Sequence, residues 1–179
     1  MYGLVNRAVE QLVEQHLGPT GWARVCKQAG IADDGFVAIS AYPDQMTYKL
    51  VGAVSQEMGM SPEQVLEAFG EYWIMYTAEE GYADLLQTAG TSLREFLGNL
   101  DQMHSRIETV FAQMVAPVFS VEDEGPGRYV LLYQSQREGL APMVVGLVKG
   151  LAKRFGQPIE IEQLPSRAGC AGVFRIQEA

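Results

Sequence analysis

The hydrophobic period of this chain changes at Pro117, and that change limits what it can fold into. Upstream, apolar residues recur at threes and fours, the spacing of a helix that buries one face. Downstream, apart from one helical stretch over 140–155, they fall into short runs separated by turn residues, as strands and hairpins do. The predicted outcome is an α+β domain. An N-terminal helical subdomain is followed by a four-stranded antiparallel sheet with a crossing helix, in the order β-β-α-β-β.

Local signals fill in that outline. Leu4, Val5, Val9, Leu12, Val13 and Leu17 predict a helix over 2–17, stopped by Gly18-Pro19; Thr20 then caps a short helix that Gly30 closes. Asp44 is read as the cap of a helix reaching Met58. Ser61-Pro62-Glu63-Gln64 combines an N-cap, a first-turn proline and a capping-box glutamine, and the helix it opens carries Phe69, Tyr72, Trp73 and Tyr76. Ser92-Leu93-Arg94-Glu95 is a second capping box, and Asn99 or Asp101 starts a further helix. Beyond Pro117 come strands over 118–122 and 128–136 around a Gly125-Pro126-Gly127 turn, a helix over 140–155, and strands near 159–164 and 173–177. With 179 residues, 47% of them hydrophobic, and no repeat or linker, a single domain over 1–179 is expected.

Charge narrows the partners. A net charge of −9 repels phosphate backbones, so no nucleic acid is expected, and the Lys149, Lys153, Arg154 group reads as a solvated helix face. Cys26 and Cys170 are far apart and form neither a disulfide framework nor a zinc knuckle. No stretch has the length of a membrane span, and no basic segment followed by an apolar run opens the chain. A cytoplasmic protein without membrane insertion is expected.

The chemistry concentrates between Leu100 and Arg137. Leu100, Met103, Ile107 and Phe111 make a helical stripe, and His104 falls inside it, which points its imidazole inward. On the strand at 128–136, alternation puts Tyr133, Ser135 and Arg137 on one face at steps of roughly 7 Å, an anion clamp of two hydroxyls and a guanidinium. A neutral imidazole is an axial ligand for heme iron, and such a clamp suits the propionates of the same macrocycle. His16, at the end of the first helix, reads as structural.

His104 with Tyr133-x-Ser135-x-Arg137, together with the opening Met-Tyr-Gly-Leu-Val-Asn, resembles the heme-nitric oxide/oxygen binding (H-NOX) family, related to the sensor domain of soluble guanylate cyclase. The resemblance covers essentially the whole chain. It implies heme b (iron protoporphyrin IX) between the two halves, His104 as proximal iron ligand, Tyr133, Ser135 and Arg137 on the propionates, Leu100 and Met103 against the macrocycle, and Pro117 distorting it from planarity. Asp44 is expected to orient Arg137.

Oxygen-binding relatives carry a distal tyrosine on the helix after the Tyr-x-Ser-x-Arg strand, and Leu140-Ala141-Pro142-Met143-Val144 has none. The candidates for the distal pocket are Val5, Val9, Met143 and Leu147, with Trp73 the one donor, placed to fill space between Phe69 and Tyr76. The resemblance therefore implies a sensor of nitric oxide and carbon monoxide that excludes oxygen and is not an enzyme. It signals by release of the His104 to iron bond and relaxation of the heme, to an effector protein in trans: a histidine kinase, a cyclic-dinucleotide enzyme or a chemotaxis receptor. The alternatives are an oxygen-binding member of the same family, a heme enzyme, or a module for an apolar small molecule with His104 merely packed.

Overall fold

A computed structural model of the chain describes residues 1–111 and 113–179. The helical half comprises α1 (Gly3–Ala29), α2 (Asp44–Met58), α3 (Pro62–Thr77), a π-helical turn (Ala78–Tyr82), α4 (Ala83–Thr88), α5 (Leu93–Gly98) and α6 (Leu100–Glu108). Then follow β1 (Val118–Gly125), β2 (Arg128–Gln134), α7 (Ala141–Phe155), β3 (Ile159–Gln163) and β4 (Gly172–Glu178). The four strands form one antiparallel sheet in the order β1-β2-β4-β3, so the predicted β-β-α-β-β half is present.

Several boundaries differ from the sequence reading, each for a local reason. The break at Gly18-Pro19 is as read, two helices meeting at a kink where Gly18 leaves helical geometry (φ 68°, ψ 177°), but Pro19 and not Thr20 opens the second of them, where its missing N–H costs nothing. Asp44 is the first residue of α2 and not its cap; Pro43 holds that position. At Ser61 the full capping box forms, whereas at Ser92 the hydroxyl accepts from Glu95 N–H while the Glu95 carboxylate turns to Thr91. Strand β2 stops at Gln134, short of the predicted 136. The π-helical turn, with Gly81 at φ 94°, and the short α4 follow the aromatic helix where no periodic pattern marks them.

Two apolar clusters form the core. One joins α1, α2 and α3 around Val13, Val25, Leu50 and Val54; the other joins α5, α7 and the inner sheet face around Phe96, Leu131, Phe174 and Ile176. Each such fully buried side chain contributes about 1.5–3 kcal/mol. Helices α3 and α7 bind the halves together at backbone distance. A Cβ at Gly146 would stand 2.0 Å from the Glu67 carbonyl oxygen, and one at Gly70 would stand 2.2 Å from that of Met143. Ion pairs Lys149–Glu67 and Lys153–Glu71 flank this crossing. The crossing sets Trp73 of α3 beside Met143 and Leu147 of α7, on the wall of the space between the halves.

Candidate functional site

A cavity of about 320 Å³ lies between the helical half and the sheet, within the ~300–1,000 Å³ range of small-molecule and cofactor sites. Its walls are mostly apolar. His104, Leu100 and Met103 reach it from α6, Pro117 from the segment before β1, Tyr133 from the end of β2, and Ser135 and Arg137 from just beyond. Val5, Trp73, Met143 and Leu147 line it too. Of the residues expected to bind heme or line the distal pocket, Val9 alone is not brought there: it is 3% exposed and packed in the first core cluster, because only the opening turns of α1 reach the cavity.

The His104 imidazole is partly buried and lines the cavity, with Nδ1 sealed from solvent and without an ordinary hydrogen-bond partner. Burial lowers its pKa, against the opposing pull of the Asp101 carboxylate, the Pro117 backbone carbonyl that the ring approaches, and Glu108. The ring is therefore neutral at pH 7, with a lone pair available to a metal. Its setting is fixed from the sheet side. The Asp101 carboxylate, one turn earlier on α6, accepts the Phe119 N–H at 2.9 Å. The Phe119 ring lies 6.0 Å from the imidazole and stacks on Tyr133 at 5.3 Å. Among the described residues no three His, Cys, Asp or Glu side chains gather as a metal site.

The anion clamp is built differently from its strand-based reading. Ser135 and Arg137 lie past the end of β2, where the Ser135 hydroxyl accepts the Arg137 N–H at 3.0 Å and turns the chain out of the ladder. Burial raises the Tyr133 pKa, offset by its hydrogen bond with Ser135 and by the Arg137 charge. The Arg137 Nε donates to Asp44 Oδ2 at 2.8 Å and its Nη1 to the Val115 carbonyl at 2.9 Å. The second Asp44 oxygen takes the Met1 amino group. Burial alone would raise the Asp44 carboxyl, but the hydrogen bond from the amino terminus and the Arg137 charge hold it below the usual range. Asp44 thus orients Arg137 from the start of α2.

A model described as Haem-NO-binding matches residues 2–163. The chain belongs to this family. It is 33% identical over 157 residues to soluble guanylate cyclase gcy-32 of Caenorhabditis elegans, covering 86% of this chain and 23% of that relative. With guanylate cyclase soluble subunit beta-2 of Rattus norvegicus the identity is 40% over 93 residues, 52% of this chain and 14% of that one. The chain thus spans less than a quarter of the length of these curated relatives. Among solved structures, an H-NOX protein from S. oneidensis in the Fe(II)NO state superposes with a TM-score of 0.89 at 20% identity, covering 100% of this chain and 99% of that chain. The NMR structure of an H-NOX domain from Shewanella oneidensis in the Fe(II)CO state gives 0.86 at 20% identity, with coverages of 100% and 99%. The α+β architecture is the H-NOX fold, and H-NOX domains bind heme. No helix among the described residues is long and apolar enough to cross a membrane.

This H-NOX cavity also holds polar residues that the sequence reading missed. Thr77 lies four residues after Trp73, on the same face of α3, so helical spacing alone could have found it. Its hydroxyl is used within the helix, donating to the Trp73 carbonyl at 2.8 Å. Tyr2 accepts the Gln113 N–H at 2.8 Å. Tyr82 enters from the π-helical turn, a placement that no periodic pattern predicts. His16 is exposed on α1 and its Nδ1 is 2.8 Å from the Leu12 carbonyl, outside the cavity.

Proposed function

We propose that this chain is a heme-based sensor of nitric oxide and carbon monoxide that excludes oxygen and acts on a separate effector protein in the cytoplasm. The observation that carries the reading is the meeting, in one apolar cavity, of a neutral imidazole whose Nδ1 is sealed away and a clamp of Tyr133, Ser135 and Arg137. Those residues fit heme b. Held there by His104, the group would supply ferrous iron able to bind a diatomic gas. Tyr133, Ser135 and Arg137 would hold its propionates, and Leu100, Met103 and Pro117, which line the same cavity, would pack against the macrocycle. Residues 1–179 act as one sensor domain and not as an enzyme.

Gas choice follows from the opposite wall. Val5, Met143 and Leu147 offer no donor to stabilise the partial negative charge of bound oxygen, which nitric oxide does not require. Trp73 sits between Phe69 and Tyr76, each ring 5.9 Å away, and fills space. Signalling runs through α6. A change in the hold of His104 on a bound heme would let that helix shift against Pro117 and, through Asp101, against β1. The effector is a histidine kinase, a cyclic-dinucleotide enzyme or a chemotaxis receptor. One observation favours an oxygen-binding alternative: Trp73 and Tyr82 both carry donors and both line the cavity.

The test is the visible spectrum of heme-loaded protein, reduced without air and exposed to each gas. Distinct spectra with nitric oxide and carbon monoxide, and no stable oxygen-specific spectrum, are expected. A lasting oxygen spectrum would overturn the gas assignment, and failure to take up heme would overturn the whole reading.

A further inference from the structure

The ladder that carries Tyr133 into the cavity stops before the rest of the clamp. Tyr133 pairs with Gly172 and Gln134 with Val118, and the Tyr133 carbonyl accepts the Ala171 N–H at 2.8 Å. No strand pairing continues over 135–139, and Gly139 takes φ 75° before α7 begins. Ser135 and Arg137 therefore line the cavity from a segment that the sheet does not hold.

Helix α2 holds it instead. Asp44 and Tyr48 stand four residues apart, on one face of that helix, and they grip consecutive residues of the segment. Asp44 Oδ2 accepts the Arg137 Nε–H at 2.8 Å, and the Tyr48 hydroxyl donates to the Glu138 carbonyl at 3.0 Å. Among the described residues, the Tyr48 bond is the one hydrogen bond that ties the backbone of 135–139 to another element. Burial and the Asp44 carboxylate raise the Tyr48 pKa against the pull of Arg137, so the hydroxyl remains a donor at pH 7. Arg137 spends Nε on Asp44 and an Nη1 donor on the Val115 carbonyl, which leaves its other N–H groups for a carboxylate.

Resting on the heme reading above, we propose that Tyr48 is a positioning residue of the propionate clamp, fixing the backbone at Glu138 so that Arg137 stays seated on Asp44 with its free donors turned to the bound group. Without that bond the segment loosens and the guanidinium leaves Asp44 more often.

Tyr48→Phe removes the hydroxyl and keeps the ring. In the heme-free variant, followed by NMR of arginine side-chain nitrogens, the Arg137 Nε–H should exchange with solvent several-fold faster than in the native protein. The Nε–H groups of Arg24 and Arg94, donated to Glu57 and Asp123 in pairs that do not touch 135–139, should keep their native rates. In the heme-loaded variant, transfer of heme to excess apomyoglobin should quicken several-fold. Asp44→Asn should also speed that transfer, and adding Tyr48→Phe to it should change little more, because both residues act through Arg137. An unchanged Arg137 rate would overturn the proposal, as would an equal rise at all three arginines or heme-transfer effects that simply multiply in the double variant. Failure of the heme reading would show separately, as a native protein that takes up no heme while Arg137 exchange still responds to Tyr48→Phe.

Discussion

His104→Ala should lose heme. Outer partners of a metal-bound histidine already account for ~10–100-fold in affinity, so removing the ligand itself should weaken heme retention by more than about 100-fold. Free imidazole, small enough for the space the side chain leaves, should restore the spectrum of the reduced protein. The variant should fold as well as its parent, because the lost ring carries a buried Nδ1 with no ordinary partner and its removal strands no other group. It should also change the response of the heme-free protein to acid. The His104 pKa is lowered by folding, so the unfolded chain binds the extra proton and stability falls as pH drops below the ordinary value of 6.5. That part of the acid sensitivity should disappear in His104→Ala, whereas the Asp44 contribution, from a lowered carboxyl, should persist and be lost only below 3.8. Heme loss with no imidazole rescue and a collapsed melting transition would instead make His104 a packing residue.

Gly146→Ala should be the most damaging single methyl addition in the chain's helical contacts. Its Cβ would stand 2.0 Å from the Glu67 backbone oxygen, which no side-chain rotation relieves, so α7 must move off α3. The cost should reach at least the upper part of the ~1–3 kcal/mol typical of overpacking. For a domain of this size that lowers the melting temperature by roughly 5–12 °C. Gly52→Ala on α2 is the control: nothing lies within 4 Å of its Cβ, and replacing a helical glycine there should stabilise by about 0.5–1 kcal/mol. Thermal melts of the two variants, read by circular dichroism, distinguish a backbone crossing from a general intolerance of larger residues. Because the crossing also seats Trp73 beside Met143 and Leu147, Gly146→Ala should disturb gas binding even where it still folds.

What could be read from the sequence depended on whether the deciding interaction was local. The Ser61 capping box lies within four residues, and it formed as written. The inward face of His104 followed from the spacing of Leu100 and Met103 on one short helix. The end of β2 was not legible, because alternation continues through Arg137 while the Ser135 hydroxyl diverts the backbone at 135–137. Tyr133, Ser135 and Arg137 still line one cavity, since Arg137 is aimed by Asp44 from 93 residues away and not by strand register. Asp44 illustrates the same limit from the other side: a cap by local pattern, it serves as a counter-ion by tertiary contact. Val9 shares a helix face with Val5 but not a wall of the cavity, because α1 leaves the site after its opening turns. Tyr82 owes its place to a π-helical turn and an αL-side glycine, which periodicity does not encode.

The central claim is that His104 is the protein ligand of the heme iron, and the iron–nitrogen stretching band of the reduced, gas-free protein tests it most directly. The chain has two histidines, so His16→Gln leaves His104 as the one imidazole. Resonance Raman spectra of that variant, with histidine in its ordinary and heavy-nitrogen forms, should show the band shifting to lower frequency with the heavy isotope. A band that does not move, or that vanishes with His16 replaced, would contradict the assignment.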